Sequence, residues 1–199
     1  MAGTFLEPAF HDAVQESQRT FRAALKAMSE PGLIQSLGNA PALGILQPAT
    51  YALCLTLFDG DTPVWLAPAF DTPQVRANLA FHCACPIVDE REQAVFSVIG
   101  DEELNDLAAF DQGSDRDPDR SCTLVAQLQN LEQGAPTRWQ GPGIAAERIV
   151  RLPVPDGYWQ QRKAAHAFPR GLDVFFTAGR MLVGLPRSTR VLHSMQEVL

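Results

Sequence analysis

Two arginines and two hydroxyl side chains stand together late in the chain, just after an apolar run. Arg187 is followed by Ser188, Thr189 and Arg190. A guanidinium group offers its N–H donors in a fixed fork that fits a phosphate or a carboxylate. Because ligand sites in α/β proteins lie at strand ends, this segment is a candidate anion site with Arg187 and Thr189 as donors. An exposed, solvated strand end is the simpler interpretation of the same residues.

A second cluster combines one histidine with two thiols: His82, Cys83 and Cys85. A structural zinc site needs four converging ligands, and its paired cysteines are usually separated by two or more residues. The other cysteines, Cys54 and Cys122, are single and distant in sequence, so no fourth ligand can be named. The sequence therefore predicts no metal site. The role of Cys83 and Cys85 stays open, with small core-facing side chains at a helix end as the simpler interpretation.

Nucleophilic catalysis by cysteine would require a histidine partner, and no motif places one beside a thiol. Because such a site is defined by geometry as well as by residue type, the catalytic residues stay unknown at this point. Exposed or internally bonded side chains are the interpretation we favour for the four histidines, which are His11, His82, His166 and His193.

Two short segments resemble ligand-binding loops but are predicted to be structural turns. Gly141 and Gly143 flank Pro142, yet the segment lacks the lysine and hydroxyl of a P-loop and the third glycine of a dinucleotide loop. Asp61 and Thr62 precede an apolar run, where their side chains fit a turn that satisfies local backbone donors.

The elements that must position these residues alternate between helix and strand through the middle of the chain. Apolar residues recur at helical spacing over 10–28, and Pro31 and Gly32 mark the end of that helix. The apolar run 51–58 fits either a helix capped by Thr50 or a buried strand. Strands are predicted over 64–67, 94–99 and 122–128, and helices over 72–82, 102–110 and 156–166.

The end of the pattern predicts the fold class. Residues 172–177 and 181–185 are strand-like and are joined by a short connection containing Gly179, which indicates an antiparallel hairpin. The ordered pattern is expected to end at Val191. An α/β fold with a mixed sheet flanked by helices follows from this arrangement. Because no repeat or linker divides the chain, one domain is predicted over residues 1–199.

The composition excludes several classes of protein. The 199 residues include 16 Lys or Arg and 23 Asp or Glu, which gives a formal net charge of −7. A chain with this acidic balance lacks the positive field of a general nucleic-acid or anionic-membrane binder. No apolar run approaches the roughly 20 residues that span a bilayer, and the first residues lack a secretory pattern, so we expect a cytoplasmic protein.

Short motifs of one recognisable pattern are spread over nearly the whole chain. The strongest is Phe21-Arg22 followed by the run 25–32, Leu-Lys-Ala-Met-Ser-Glu-Pro-Gly. The other motifs are Leu55-Thr56-Leu57, Asp61-Thr62-Pro63-Val64-Trp65-Leu66, Phe81-His82, Gly143-Ile144, Glu147-Arg148, Phe168-Pro169, Gly171-Leu172-Asp173, and Pro186-Arg187 with Thr189. In their order and spacing together, these motifs resemble the PhnH family, subunits of the bacterial carbon–phosphorus lyase machinery for phosphonates. Cys83, Cys85, the segment 111–120 and the tail after Val191 lie outside the resemblance.

The resemblance implies an α/β fold similar to the large domain of pyridoxal-phosphate-dependent transferases, without that cofactor. Lys26 and Lys163 are the only lysines, and neither stands in a recognisable Schiff-base setting. The resemblance also implies a homodimer that joins the subunits PhnG, PhnI and PhnJ. The associated reaction exchanges the adenine of MgATP for a phosphonate and gives α-D-ribose 1-methylphosphonate 5-triphosphate. The glycosidic chemistry is attributed mainly to PhnI and the cleavage of the carbon–phosphorus bond to PhnJ.

Two functions are compatible with these observations. The favoured one is an accessory subunit of this multi-subunit transferase, not catalytic alone, that docks on its partners through an apolar surface. It is favoured because no convincing catalytic constellation accompanies a full-size core. The alternative is an anion-binding subunit in which Arg187, Thr189 and Arg22 hold a phosphate or phosphonate directly. Motif analogy by itself cannot assign such a site role.

Overall fold

The structure, a computed structural model, describes residues 6–38, 40–165 and 168–193. Its α-helices are α1 (Ala13–Ser29), α2 (Pro48–Leu57), α3 (Pro73–His82) and α4 (Tyr158–Ala165). Short 3-10 helices cover Arg91–Gln93, Glu103–Asn105, Leu107–Ala109 and Pro118–Arg120. The strands are β1 (Gln35–Ser36), β2 (Val64–Leu66), β3 (Phe96–Ile99), β4 (Thr123–Gln127), β5 (Thr137–Gln140), β6 (Arg148–Val150), β7 (Asp173–Ala178), β8 (Met181–Leu185) and β9 (Arg190–His193).

Six strands form one mixed sheet in the order β1-β8-β7-β4-β3-β2. The strands β2, β3, β4 and β7 run parallel, and β4 aligns Leu124 with Val174 of β7. The chain then turns back, so that β8 is antiparallel to β7, and β1 is antiparallel to β8. The predicted α/β class, the mixed sheet and the late hairpin are therefore confirmed.

Alternation of side chains along the strands gives the large sheet two packed faces. On one face, α1 and α2 cover β4, β7 and β8. On the other face, Phe176 of β7 packs edge-on against Tyr158 of α4, with ring centroids 5.8 Å apart. The first face is held by a cluster of Ala24, Ala27, Leu53, Val125, Phe175 and Leu182.

Helix α1 begins and ends where local chemistry dictates. The side chain of Asp12 accepts a hydrogen bond from the Gln15 backbone N–H at 3.0 Å, which caps the first turn. Helix geometry ends at Ser29, just before the predicted stop at Pro31. Between these ends the helix lies close to β8, because a Cβ on Gly184 would lie 2.5 Å from the carbonyl oxygen of Ala27.

Three strands form a second, antiparallel sheet in the order β6-β5-β9. The expected end of the ordered pattern at Val191 is wrong by two residues, because β9 continues to His193 in register with Thr137 of β5. Strand β6 of this sheet is short and ends at Val150.

Three predicted helix boundaries need correction. The helix predicted over 102–110 is two 3-10 helices, separated at Asp106, whose φ of −142° leaves the helical region. Thr50 does not cap α2, which begins at Pro48. Its hydroxyl is buried and instead donates to the Gln127 side chain at 2.7 Å. Helix α4 begins at Tyr158, and its predicted end at His166 lies outside the described residues.

Both edges of the large sheet are short or covered. The backbone of Val64 in β2 accepts from Val88 at 2.9 Å and donates to Pro86 at 2.8 Å, so the segment 86–88 lies along that edge. At the other edge, β1 has two residues. None of the helices in the described part of the chain is both long and apolar enough to cross a bilayer.

Candidate functional site

Arg187 lies two residues beyond β8 and is bound to Asp173, the first residue of β7. Its Nη2 lies 2.6 Å from Asp173 Oδ2, and its Nε lies 3.1 Å from the same oxygen. The backbone N–H of Arg187 donates to Oδ1 at 2.6 Å, and its Nη1 donates to the carbonyl of Pro118. An external anion would therefore have to compete with a carboxylate that already neutralises this guanidinium group.

Arg162 places a second positive charge behind this pair. The side chain projects from α4 into the core and donates to the carbonyl of Leu172 at 3.1 Å and to that of Pro186 at 2.8 Å. Burial lowers its pKa, although the nearby Tyr158 and Asp173 favour the charged form. No described carboxylate forms an ion pair with it. Two guanidinium groups thus face one carboxylate, a local excess of one positive charge.

The two arginines meet at a small cleft between α4 and the start of β7. The cleft is small, because the centre of a water molecule can occupy only about 20 Å³ within it. That space admits one water or one oxygen atom of an anion, so a whole phosphate group could rest only at the mouth. The cleft is lined by Leu107, Gln112, Arg162, Ala165, Gly171, Leu172 and Arg187.

The other predicted anion ligands take separate positions. Thr189 is 2 % exposed, and its backbone N–H donates to the same Pro186 carbonyl that Arg162 binds. Its Oγ1 is buried without a hydrogen-bond partner among the described residues. Arg22 is exposed on α1 and does not line the cleft. The structure therefore groups Arg187, Thr189 and Arg162, whereas Arg22 stands apart.

Arg162 is the functional candidate that sequence reasoning missed. It follows Tyr158 by four residues, so both side chains lie on one face of α4. Tyr158 is buried, and the shared face was the available signal that Arg162 points inward. A buried arginine needs specific partners, and these come from distant segments that the spacing does not reveal.

An apolar groove lies along α1, and we call it the α1 groove. Phe21 and Leu25 are 46 % and 55 % exposed there, which is unusual for side chains of their size. About 250 Å³ of the groove is open to the centre of a water molecule. Its one charged lining residue, Asp173, is already paired with Arg187. The lining consists of Phe21, Ala24, Leu25, Met28, Leu57, Phe96, Thr123, Asp173, Phe175 and Pro186.

The strongest sequence motif ends at a tight junction between α1 and the second sheet. A Cβ on Gly143 would lie 1.8 Å from the Ser29 carbonyl oxygen, and a Cβ on Gly32 would lie 2.6 Å from Val150. Both glycines have positive φ, +82° and +81°. The loop containing Gly143 is thus the structural turn predicted from its composition, and packing explains its glycine.

Arg148 fastens the same junction. Its Nη1 donates to the carbonyl of Glu30 at 3.2 Å and also to that of Pro31. These carbonyls follow the last turn of α1, where no helical donor reaches them. The motif residues in this region therefore hold backbone segments together and form no open ligand site.

The turn before β2 also proves structural. Thr62 Oγ1 accepts from the Asp59 N–H at 2.7 Å and donates to the Asp59 carbonyl at 2.9 Å. The Asp61 N–H donates to the Asp59 carboxylate at 3.0 Å. The prediction that Asp61 and Thr62 form a local turn is confirmed.

The thiols are distributed through the core. All four cysteines are free and buried. Among residues 6–38, 40–165 and 168–193, no group of three or more histidine, cysteine or acidic side chains could hold a metal ion. His166 lies outside these ranges, and His82 Nε2 lies 3.0 Å from the Glu7 carbonyl oxygen.

Comparisons with known proteins agree over most of the chain. The family described as "Bacterial phosphonate metabolism protein (PhnH)" matches residues 8–192. A protein of Rhizobium meliloti (strain 1021), named "Alpha-D-ribose 1-methylphosphonate 5-triphosphate synthase subunit PhnH", is 38% identical over 192 residues, which cover 92% of this chain and 94% of its own. A "Putative C-P lyase subunit protein HtxG" of Stutzerimonas stutzeri is 32% identical over 81 residues, or 40% of this chain and 42% of its own.

Proposed function

The chain belongs to the PhnH family, and we propose on that basis that it is a subunit of the carbon–phosphorus lyase assembly in phosphonate catabolism. In this role it supports formation of α-D-ribose 1-methylphosphonate 5-triphosphate from MgATP and methylphosphonate. Support comes from the Rhizobium meliloti relative, whose name gives this product and whose alignment covers 94% of its own length.

The role we propose is accessory, and the α1 groove is the observation that carries it. The groove presents exposed apolar side chains on a helix that is otherwise firmly packed on the large sheet. Water-exposed apolar surface of this kind marks contacts with other proteins more often than sites of polar chemistry. The charged candidates are engaged internally, with Arg187 bound to Asp173 and Arg162 bound to two carbonyls.

The partners we propose are a second copy of the chain and the subunits PhnG, PhnI and PhnJ. We place the assembly in the cytoplasm, where the four free thiols would persist. The likeness to the large domain of pyridoxal-phosphate-dependent transferases is part of the same proposal, without the cofactor. Lys26 suits that expectation, since its side chain is exposed in the last turn of α1.

Co-purification tests the accessory role. The chain is expressed alone and together with PhnG, PhnI and PhnJ, and the mass of each sample is measured by light scattering. We expect the lone chain at twice its own mass and the co-expressed chain within a larger assembly. Release of adenine from MgATP with methylphosphonate is then assayed in both samples. Activity is expected only in the assembly, and turnover by the lone chain would overturn the proposal.

A second function, direct anion binding, is favoured by one observation: the local excess of positive charge at Arg162, Arg187 and Asp173. A phosphate or phosphonate oxygen at the mouth of the cleft would balance that charge. Titration calorimetry of the wild-type chain with ATP and with methylphosphonate tests the idea. On the scale of about 1.5–3 kcal/mol for a charge-assisted hydrogen bond, Arg187→Ala should weaken binding tenfold or more. No heat of binding by the wild-type chain would exclude this function.

A further inference from the structure

The end of α3 carries a dithiol turn for which the proposed function has no use. Cys83 is the residue that ends the helix, and its backbone N–H still donates to the Leu79 carbonyl at 2.9 Å. Ala84 follows with a φ of +56°, the one positive φ outside glycine among the described residues. An alanine is strained in this region, and such residues concentrate at functional positions. Cys85 comes next and is buried again.

The positive φ of Ala84 suits a compact turn, in which the neighbouring Cα atoms lie within disulfide range. The distance between the Cα atoms of Cys83 and Cys85 is set by the dihedral angles of the residue between them. In a helical conformation of either hand that distance is about 5.4 Å, from the rise and radius of the helix. Disulfides join Cα atoms that are roughly 4.4–6.8 Å apart. An extended residue at position 84 would leave the two cysteines near or beyond the upper limit.

The two thiols also influence each other. Cys83 Sγ lies 3.6 Å from the Cys54 carbonyl oxygen. The neighbouring Cys83 thiol lowers the pKa of Cys85, while the pKa of Cys83 itself is raised, chiefly by Cys85. Burial raises the pKa of Cys122 to about 12 and also raises that of Cys54. The thiolate, which is the reactive form, is therefore favoured at Cys85 over the other cysteines.

The two cysteines flank an exposed residue. Ala84 and Pro86 are exposed, whereas Cys83 and Cys85 are 7 % and 4 % exposed. Because so little of either cysteine is exposed, a small oxidant such as hydrogen peroxide suits the pair better than a bulky alkylating reagent.

We propose that Cys83 and Cys85 form a reversible intramolecular disulfide when the folded chain meets hydrogen peroxide. The Cys85 thiolate attacks one peroxide oxygen and becomes a sulfenic acid, and the other oxygen leaves as hydroxide, which takes up a proton as water. The Cys83 sulfur then attacks the sulfenic sulfur, the S–S bond forms, and a second water leaves. Two thiols are oxidised by two electrons and one peroxide is reduced to two waters. A dithiol reductant reverses the step by exchange.

Peptide mapping of the whole chain tests this proposal directly. The native protein is treated with dilute hydrogen peroxide, free thiols are alkylated after unfolding, and trypsin is added. Cleavage after Arg76 and Arg91 releases the peptide 77–91, which contains Cys83 and Cys85 and no other cysteine or methionine. We expect this peptide to be about 2 Da lighter than its reduced form and unalkylated, and to regain both alkyl groups after reduction.

Matched variants assign the bond. Cys122→Ser should leave the lighter peptide unchanged, and Cys85→Ser should abolish it while circular dichroism remains that of the wild type. Ala84→Gly keeps both thiols and should retain the bond. The proposal fails if peptide 77–91 of the folded wild type stays fully alkylated at a peroxide concentration that oxidises the unfolded chain. It also fails if mapping joins either cysteine to Cys54. Both outcomes are read on wild-type protein, so a variant that does not fold cannot obscure them.

Discussion

The pair of Arg187 and Asp173 shows how one interaction ties together the ends of two neighbouring strands. Three donors of Arg187, which are its backbone N–H, Nε and Nη2, bind the two carboxylate oxygens of Asp173. The side chains are 16 % and 24 % exposed, so solvent screens them only weakly. Removing the Arg187 side chain deprives the Asp173 carboxylate of two charge-assisted hydrogen bonds in a partly buried site, which costs more than losing a surface ion pair.

Arg187→Ala is accordingly expected to lower the free energy of unfolding by about 2 kcal/mol. The matched control is Arg170→Ala, because Arg170 pairs with Asp115 at side-chain exposures of 46 % and 81 %. That exposed pair should contribute less than about 1 kcal/mol. Urea denaturation of the three proteins measures the difference. Equal losses in the two variants would show that burial does not set the strength of the Arg187 pair.

Cys122 provides a second prediction at this scale, for alkaline pH. Burial raises the pKa of its thiol to about 12 from an ordinary 9.0. Above pH 9 the unfolded chain ionises while the folded chain keeps the proton, so stability present below pH 9 is lost as the pH rises towards 12. Cys122→Ala should therefore reduce the slope of unfolding free energy against pH in this window by up to about 1.4 kcal/mol per pH unit. Urea titrations at several alkaline pH values measure it, and an unchanged slope would contradict the assignment.

At this scale, the sequence predicts the hydrogen-bond partners of a side chain only where those partners are close in sequence. Asp61 and Thr62 were predicted as a turn because their partner, Asp59, lies within three residues. The positions of Arg187 and Thr189 at a strand end were also predictable. The partner of Arg187 could not be predicted, because Asp173 is placed beside Arg187 by the pairing register of β7 and β8.

At the scale of elements, α1 packs against β8 more extensively than any other described helix packs against a strand. Gly184 permits it, because a Cβ there would meet the Ala27 carbonyl carbon at 2.6 Å and the Met28 nitrogen at 2.9 Å. These are backbone atoms of a helix and cannot move individually. Any side chain at position 184 must therefore displace α1 as a whole.

Gly184→Ala is expected to destabilise the protein by about 2 kcal/mol, within the range of overpacked cores. Gly157→Ala is the matched control, since a Cβ there would have an ordinary 3.8 Å contact with the Gln161 side chain. The control should change the unfolding free energy by less than about 0.5 kcal/mol. Thermal and urea unfolding measure both variants. If Gly184→Ala behaves like the control, α1 does not lie as close to β8 as described.

The apolar strands were the elements that sequence predicted best. Their β-branched and aromatic runs coincide with β2, β3, β4, β7 and β8, all of which are largely buried. The prediction of a helix over 102–110 was wrong, because acidic residues favour the start of a helix but do not sustain one. The backbone dihedral angles of Asp106 lie outside the helical region. The strand β9 was not predicted, since its pairing with β5 is non-local and its four residues, Arg-Val-Leu-His, give no alternation of polar and apolar side chains.

At the scale of the whole molecule, the α1 groove is an apolar surface that the described part of the fold leaves uncovered. Phe21→Glu places a charge in it without removing a core side chain, because Phe21 is 46 % exposed. We expect unfolding free energy to change little and co-purification with the partner subunits, or dimer formation, to weaken at least tenfold. Light scattering and pull-down yield measure this.

Gln15→Glu is the matched control for that variant. Gln15 is exposed on the same helix and does not line the groove. The substitution therefore adds the same negative charge to α1 but outside the proposed docking surface. Its assembly should equal that of the wild type. If Phe21→Glu assembles as well as Gln15→Glu, the groove is not the docking surface and the accessory proposal loses its main support.

The covered margins of the large sheet restrict how copies of the chain can add to one another. The segment 86–88 already occupies the backbone N–H and carbonyl of Val64 in β2, and β1 offers two residues at the opposite margin. These margins hinder a neighbour from lengthening the large sheet with its own strand, which is the step that seeds fibrous aggregates. Association of copies through the large sheet therefore depends on contacts between side chains, which can be specific for one partner.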